Sequence, residues 1–275
     1  MRSPYVAGQF YPASKEDLKK QIEECFLSTI GPGKLPKEGM EERNIVGCVV
    51  PHAGYMYSGP VAAHVYFQIA KQKKPETIAI LCPNHTGRGS AIALSKEDWK
   101  TPLGVVETDK EVVEQLWKGC DLLDLDEFAH SAEHSLEVQL PFLQYIFGDF
   151  NIIPVCLGIQ DLETAHEVAG CLAKVKKDLL VIASSDFTHY EPHEMATKKD
   201  QKAIAHILNL DEKRFVQTVY DMNLSICGYG PIATCITASK KLGATKAELL
   251  KYATSGDVTR DYLQVVGYAG IAFRK

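Results

Sequence analysis

Four short segments place imidazole, carboxylate and thiol side chains directly behind apolar runs. Val46–Val50 leads to His52 in PHAGY, Thr77–Leu81 leads to His85 in PNHTG, and Leu179–Ala183 leads to Asp186 and His189 in SSDFTHYEP. The fourth segment, Ile226-Cys227-Gly228-Tyr229-Gly230-Pro231, sets Cys227 just ahead of a helix start. Its two glycines permit unusual backbone angles, and Pro231 suits a first helical turn. The partial positive charge of a helix start favours a thiolate, which is a nucleophile or a metal ligand. Imidazole, carboxylate and thiolate are the usual ligands of zinc, iron and copper.

Each segment alone has a plainer explanation. A single histidine behind a strand is ordinarily a turn residue, Asp186 could cap the following helix, and Cys227 could be a small residue in a tight turn. Three turns of one design, at separate places in the chain, favour a shared site. Parallel strands would bring their carboxyl ends, where α/β proteins bind ligands, to one edge. His52, His85 and Cys227 then make a three-ligand metal site with open positions, and Asp186 and His189 are left to orient substrate or move protons. The same residues also fit a cysteine hydrolase with Cys227 as nucleophile, His189 as base and Asp186 as its orienter. That arrangement leaves His52 and His85 without a role, so the metal site accounts for more of the residues. A further pair, His130 and His134, brackets Glu133 in HSAEH. The zinc-protease pattern HExxH requires the glutamate directly after the first histidine, so the match fails. Glu133 or His134 could instead supply a group behind the ligands or an acid–base function, and the spacing fits a solvated helix start equally well.

Alternating strands and helices must position these residues. Ser14 is the expected N-cap of a first helix whose apolar stripe is Leu18, Ile22, Cys25 and Phe26. The Gly/Pro-rich connection 31–39 leads to a strand over 44–50, a helix over 61–70 and a strand over 77–81. A short strand over 91–94, a helix over 109–118 and a helix over 135–147 follow, Pro141 being a local objection to the last. Strands are expected over 151–157, 179–183, 249–254 and 264–273, and helices near 164–176, 194–208, 211–220 and 231–241. The pattern predicts a mainly parallel sheet covered on both faces, in a single domain over 1–275.

Composition narrows the function. The chain has 275 residues, 45% hydrophobic and 24% charged, with a net charge of −5. That balance gives no reason to expect nucleic acid as a partner. No apolar stretch reaches the ~20 residues that span a bilayer, and MRSPYVAGQFYP lacks a signal core. A cytoplasmic protein is expected. The eight cysteines form no CxxC pair. Cys48, Cys82 and Cys156 fall in strands and Cys25 and Cys171 on apolar helix faces, so reduced core thiols are expected.

Taken together, VAGQFYP, PHAGYMYSG, PNHTG, EHSLEVQLPFL, SSDFTHY, CGYGP and TSGDVTRD…VVGYAGIAF resemble the Memo family, called AmmeMemoRadiSam system protein B in prokaryotes. The resemblance spans essentially the whole chain. It implies the three-layer α/β/α sandwich, with a mixed, mainly parallel sheet, of LigB-type class III extradiol dioxygenases. It marks His52, His85 and Cys227 as the metal set, with Asp186 and His189 beside it; His134 is taken as a group behind the ligands. Iron or copper is the implied metal, with zinc as a substitute, and the implied activity is redox or oxygenase-like chemistry on a small molecule. The dioxygenases carry a glutamate where Cys227 stands here, which sets ring cleavage apart. Animal members are described as binding phosphotyrosine peptides, so a peptide- or protein-binding module is the alternative, with Arg88 as the nearest phosphate-binding candidate. Prokaryotic members are linked by gene neighbourhood to an AMMECR1-like protein and a radical SAM protein.

Overall fold

The computed structural model describes residues 1–37 and 39–275, so only Glu38 of the 31–39 connection lies outside the described residues. The strands are β1 (Ile45–Val50), β2 (Thr77–Pro83), β3 (Ile92–Leu94), β4 (Trp99–Thr101), β5 (Gly104–Thr108), β6 (Asp124–Leu125), β7 (Asn151–Leu157), β8 (Leu179–Ser184), β9 (His189–Glu191), β10 (Lys246–Thr254) and β11 (Val265–Arg274). The main path across the sheet runs β10-β11-β1-β8-β2-β7-β3-β6. Its centre, β1-β8-β2-β7, is parallel. Antiparallel β11 and β10 extend one side, and β3 pairs antiparallel with β7 on the other. The central strands are buried at almost every position, as strands covered on both faces must be.

The helices are α1 (Lys15–Leu27), α2 (Tyr55–Ala70), α3 (Lys110–Gly119), α4 (Glu127–His130), α5 (Leu140–Phe147), α6 (Leu162–Leu172), α7 (His193–Leu208), α8 (Glu212–Asp221), α9 (Tyr229–Lys241) and α10 (Ser255–Thr259). They divide between two cores according to the alternation of the strands. Ala79, Leu81, Val181 and Ala183 face Val168, Phe215, Ile232 and Ile236 of α6, α8 and α9. Ile78, Ile80, Leu180 and Ile182 face Leu18, Ile22, Tyr66 and Phe142 of α1, α2 and α5. The result is the expected α/β/α sandwich. No helix among the described residues is long and apolar enough to cross a membrane.

Three local differences from the sequence reading have physical causes. The helix expected over 135–147 starts as a single 3₁₀ turn at Glu137–Gln139, and α5 follows with Pro141 in its first turn, where its missing N–H leaves no bond unmade. Short β4, β5, β6 and β9 were not expected, because two to five residues carry too little periodicity to read. Cys171 is not a reduced core thiol: it is disulfide-bonded to Cys120 just beyond the end of α3, while Cys25, Cys48, Cys82, Cys156 and Cys235 are free and buried.

Two buried carboxylates tie chain ends to the site. Glu137 accepts the backbone N–H groups of Tyr5 (2.8 Å) and Val6 (3.0 Å), the Tyr11 hydroxyl (2.7 Å) and the Arg2 guanidinium (3.2 Å), which holds the segment carrying Phe10 in place. Asp200 on α7 accepts the N–H and hydroxyl of Thr188 (3.0 and 2.6 Å) and the Tyr252 hydroxyl (2.8 Å). Gly267 makes room for it, since a Cβ there would lie 1.9 Å from Asp200 Oδ2.

Cleaving the Cys120–Cys171 bond, which closes a separation of 51 residues, should lower stability by about 4 kcal/mol on chain-entropy grounds. Dithiothreitol should therefore lower the thermal midpoint of the wild type and leave that of Cys120→Ser unchanged; equal midpoints for reduced and oxidised wild type would rule the crosslink out. Burial raises the Asp200 carboxyl to about 6. A raised folded-state pKa means that its contribution is complete below about pH 4 and is lost as pH rises through about 6. Asp200→Asn should thus gain stability on the wild type between those limits, by at most about 3 kcal/mol, in urea titrations at the two pH values.

Candidate metal centre

The parallel register aligns the turns that carry the chemistry. Val50 of β1 pairs with Ser184 of β8, and Leu81 of β2 with Ala183. His52 follows β1, Asp186 follows β8 and His85 follows β2, so all three leave the same edge. His134 joins them from the turn between α4 and the 3₁₀ segment. The ring centroids of His52, His85 and His134 lie 4.7–5.3 Å apart. Each can offer one nitrogen such that all three lie within 4.8 Å of one another, a group able to hold a metal ion.

Buried hydrogen bonds set the protons on two of these rings. The Ser184 hydroxyl gives its one hydrogen to the Ser135 carbonyl (2.7 Å) and accepts Gln139 Nε2 (2.8 Å). It must therefore accept from His52 Nδ1 (3.0 Å), which leaves His52 Nε2 with a bare lone pair. Gln139 is oriented in turn by the Tyr66 hydroxyl on its Oε1 (2.6 Å). Glu133 orients His85, accepting Nδ1–H (2.9 Å) and the backbone N–H (2.7 Å). Although burial opposes ionisation, the contacts of Glu133 with His85, Ser135 and His134 bring its carboxyl down to about 2. A carboxylate behind a histidine is the usual support of a metal ligand. Burial, with the neighbouring histidines, holds His52 well below its ordinary pKa, and burial brings His134 to about 4. Both rings are neutral at neutral pH.

Cys227 and Asp186 adjoin this group. Cys227 Sγ is 3.2 Å from His52 Nε2 and accepts the Asp186 N–H at 3.3 Å. Burial and the Asp186 carboxylate push its thiol up, against the thiolate expected from the helix start at Tyr229. Asp186 does not cap a helix: α7 begins behind Pro192 without a side-chain cap. Its Oδ1 accepts the His52 backbone N–H (2.8 Å), and burial raises it to about 6. His189 opens β9 and gives Nδ1 to the Ser225 carbonyl (2.8 Å), keeping Nε2 free. The hydrolase arrangement is not assembled, because Cys227 meets His52 rather than His189, and the hydrogen bonds of Asp186 and His189 go to other groups. His130 is buried elsewhere, on the Ala93 carbonyl.

The histidines floor a cavity of about 710 Å³ that also takes in Asp186 and His189. Its walls include Phe10, Tyr57, Tyr190 and Tyr268, and Asp261 lines it as well. Sequence reasoning gave these wall residues no role, although Tyr57, Tyr190, Tyr268 and Asp261 lie inside the motifs that carry the family resemblance. Ser184 and Gln139 were also missed, since a hydroxyl and an amide have no spacing signature. Arg88 lies over the Phe128 ring (5.6 Å) and does not line the cavity.

The fold and this cavity define a class: an α/β/α protein with a histidine-floored pocket, able to take a metal ion, at the carboxyl edge of its sheet. The Memo-like protein family model matches residues 2–272. A MEMO1 family protein of Methanopyrus kandleri is 54% identical over 280 residues, aligned across 100% of this chain and 99% of its own. One from Methanocaldococcus jannaschii is 50% identical, across 98% of this chain and 97% of its own. The chain belongs to the Memo family. An uncharacterized Escherichia coli K12 protein of known crystal structure matches with a TM-score of 0.54 at 12% identity, covering 82% of this chain and 99% of that one, a likeness of fold.

The hydrogen bonds require the Nδ1–H tautomer at His52. Nitrogen-15 NMR near pH 7 should show a bare Nε2 on the His52 ring of metal-free protein, and Ser184→Ala should convert that ring to a tautomer mixture. An Nε2–H signal from His52 in the wild type would contradict the relay.

Proposed function

We propose that this Memo-family chain is a metal-dependent redox enzyme acting on a small molecule, with iron or copper held at the floor of the cavity. The observation that carries the reading is the group His52, His85 and His134, with two of its rings held by Ser184 and Glu133 so that Nε2 faces inward. Cys227, 3.2 Å from His52 Nε2, is the further donor on that side. Imidazoles with one thiolate suit iron, copper and, as a substitute, zinc. Such an ion supplies a Lewis acid with exchangeable positions and, for iron or copper, a redox couple. Asp186 and His189 line the same cavity and would hold or move protons beside the substrate. The small-molecule reading is favoured over phosphopeptide capture because no lysine or arginine among the described residues lines the cavity.

Protein purified anaerobically without a histidine tag should carry about one transition-metal ion per chain by elemental analysis. His52→Ala/Cys227→Ser should abolish that content, and Glu133→Gln should weaken affinity about 10- to 100-fold. Unchanged metal content in the double variant would overturn the assignment.

A further inference from the structure

We propose that the ligand of the histidine-floored cavity is a small organic amine, its ammonium group seated on Asp261 among Tyr57, Tyr190 and Tyr268 and its other end directed to the histidines. The inference rests on the reading of this cavity as a substrate site and names the class of substrate it takes.

Charge is the first argument. Among the described residues two carboxylates, Asp186 and Asp261, line the cavity, and no lysine or arginine does. They are differently committed. Asp186 is buried and faces inward onto the His52 backbone N–H. Asp261 is exposed, accepts the Leu263 N–H at 3.0 Å through Oδ1, and has no ion-pair partner among the described residues. Its neighbour Arg260, in the left-handed conformation (φ 66°) that ends α10, directs its guanidinium to the Tyr262 hydroxyl at 3.5 Å. The negative charge of Asp261 is thus presented to the cavity without a local counter-ion. An anionic ligand would meet like charge there, and a neutral one would leave that charge unused.

The wall is the second argument. Tyr57, Tyr190 and Tyr268 come from α2, β9 and β11, so three elements bring phenol rings to the cavity that Asp261 lines. Aromatic faces attract ammonium groups, and these rings line one cavity with Asp261. Tyr190, at φ 58° and 72% exposed, stands at the mouth with Asp261, whereas His52, at 2%, is at the floor. A ligand reaching both ends is therefore bifunctional: a cation toward the mouth and a metal-binding group at the floor. The volume of about 710 Å³ falls within the range of small-molecule sites.

Three probes of similar shape separate the charge contribution: tyramine, its neutral analogue tyrosol, and the anion phloretate. Calorimetric titration of the metal-loaded protein should give tyramine a dissociation constant about fivefold lower than tyrosol, with phloretate weakest. Asp261→Asn should erase the tyramine advantage and leave tyrosol unchanged, and Glu16→Gln, an exposed carboxylate on α1, should change neither. Phloretate binding as tightly as tyramine, an amine preference that survives Asp261→Asn, or no binding of any probe at roughly 10 mM would overturn the proposal. Metal content measured on the same samples separates the two readings. Metal without amine preference defeats only the substrate class, and amine preference without metal defeats only the metal centre.

Discussion

Everything at the site depends on three parallel strands lying side by side. The neighbours β1, β8 and β2 are held in a register that sets Val50 against Ser184 and Leu81 against Ala183. Parallel pairing gives successive strands the same direction, so their carboxyl ends emerge together. Residues 134 apart, His52 and Asp186, are thereby joined through a backbone N–H and a carboxylate. An antiparallel arrangement of the same strands would put one of the histidine turns at the opposite end of the sheet. The apolar character of these strands is therefore also a statement about function, since only burial on both faces fixes the register that the turns inherit.

A second constraint is that much of this edge is both polar and buried. Buried polar groups must be paired, and the pairing here also sets chemistry. The Ser184 hydroxyl has one hydrogen, and its donation to the Ser135 carbonyl fixes the His52 ring nitrogen that stays unprotonated. Glu133 orients His85 and also accepts the Ser135 N–H at 2.9 Å. Ser135 is thus shared between the two relays. Through it, the run from Glu133 to Gln139 supports both rings at once, and Tyr66 of α2 anchors the far end. Preorganisation is built into the packing of α2 and this run rather than left to the loops that carry the histidines.

Much of this was legible in the sequence. Apolar runs ending in His52, His85 and Asp186 gave the sheet, its direction and the shared edge, because burial periodicity and strand polarity are local properties. His134 was placed beside the metal set rather than in it. His130 and His134 are four apart, which puts residues on one face only within a helix, but α4 ends at His130 and the chain turns, sending His130 to the Ala93 carbonyl and His134 to the cluster. Spacing says which residues share a face only where the backbone is regular. Ser184 and Gln139 gave no signal for a different reason: their roles consist of contacts with residues 45 or more positions away. The Cys120–Cys171 pair was likewise invisible, because the two cysteines meet only through the packing of α3 against α6.

The thiol shows how competing magnitudes decide a local property. A helix start contributes roughly 0.3–1 kcal/mol toward an anion, which was the reason to expect a Cys227 thiolate. Burial opposes it, and so does the Asp186 carboxylate, and together they push the thiol up. Asp186 is itself raised to about 6 by burial. Two acids that share a low-dielectric corner cannot both ionise cheaply without a positive charge between them. The corner contains neutral imidazoles, since His52 and His134 are held in their uncharged forms. His189 and His85 act on Asp186 in the opposite sense to its burial, drawing its carboxyl back down. A cation seated on the bare Nε2 atoms would lie next to both acids and favour the ionised form of each. Were an ion held by the histidine group, its binding and the protonation of Cys227 and Asp186 would be linked.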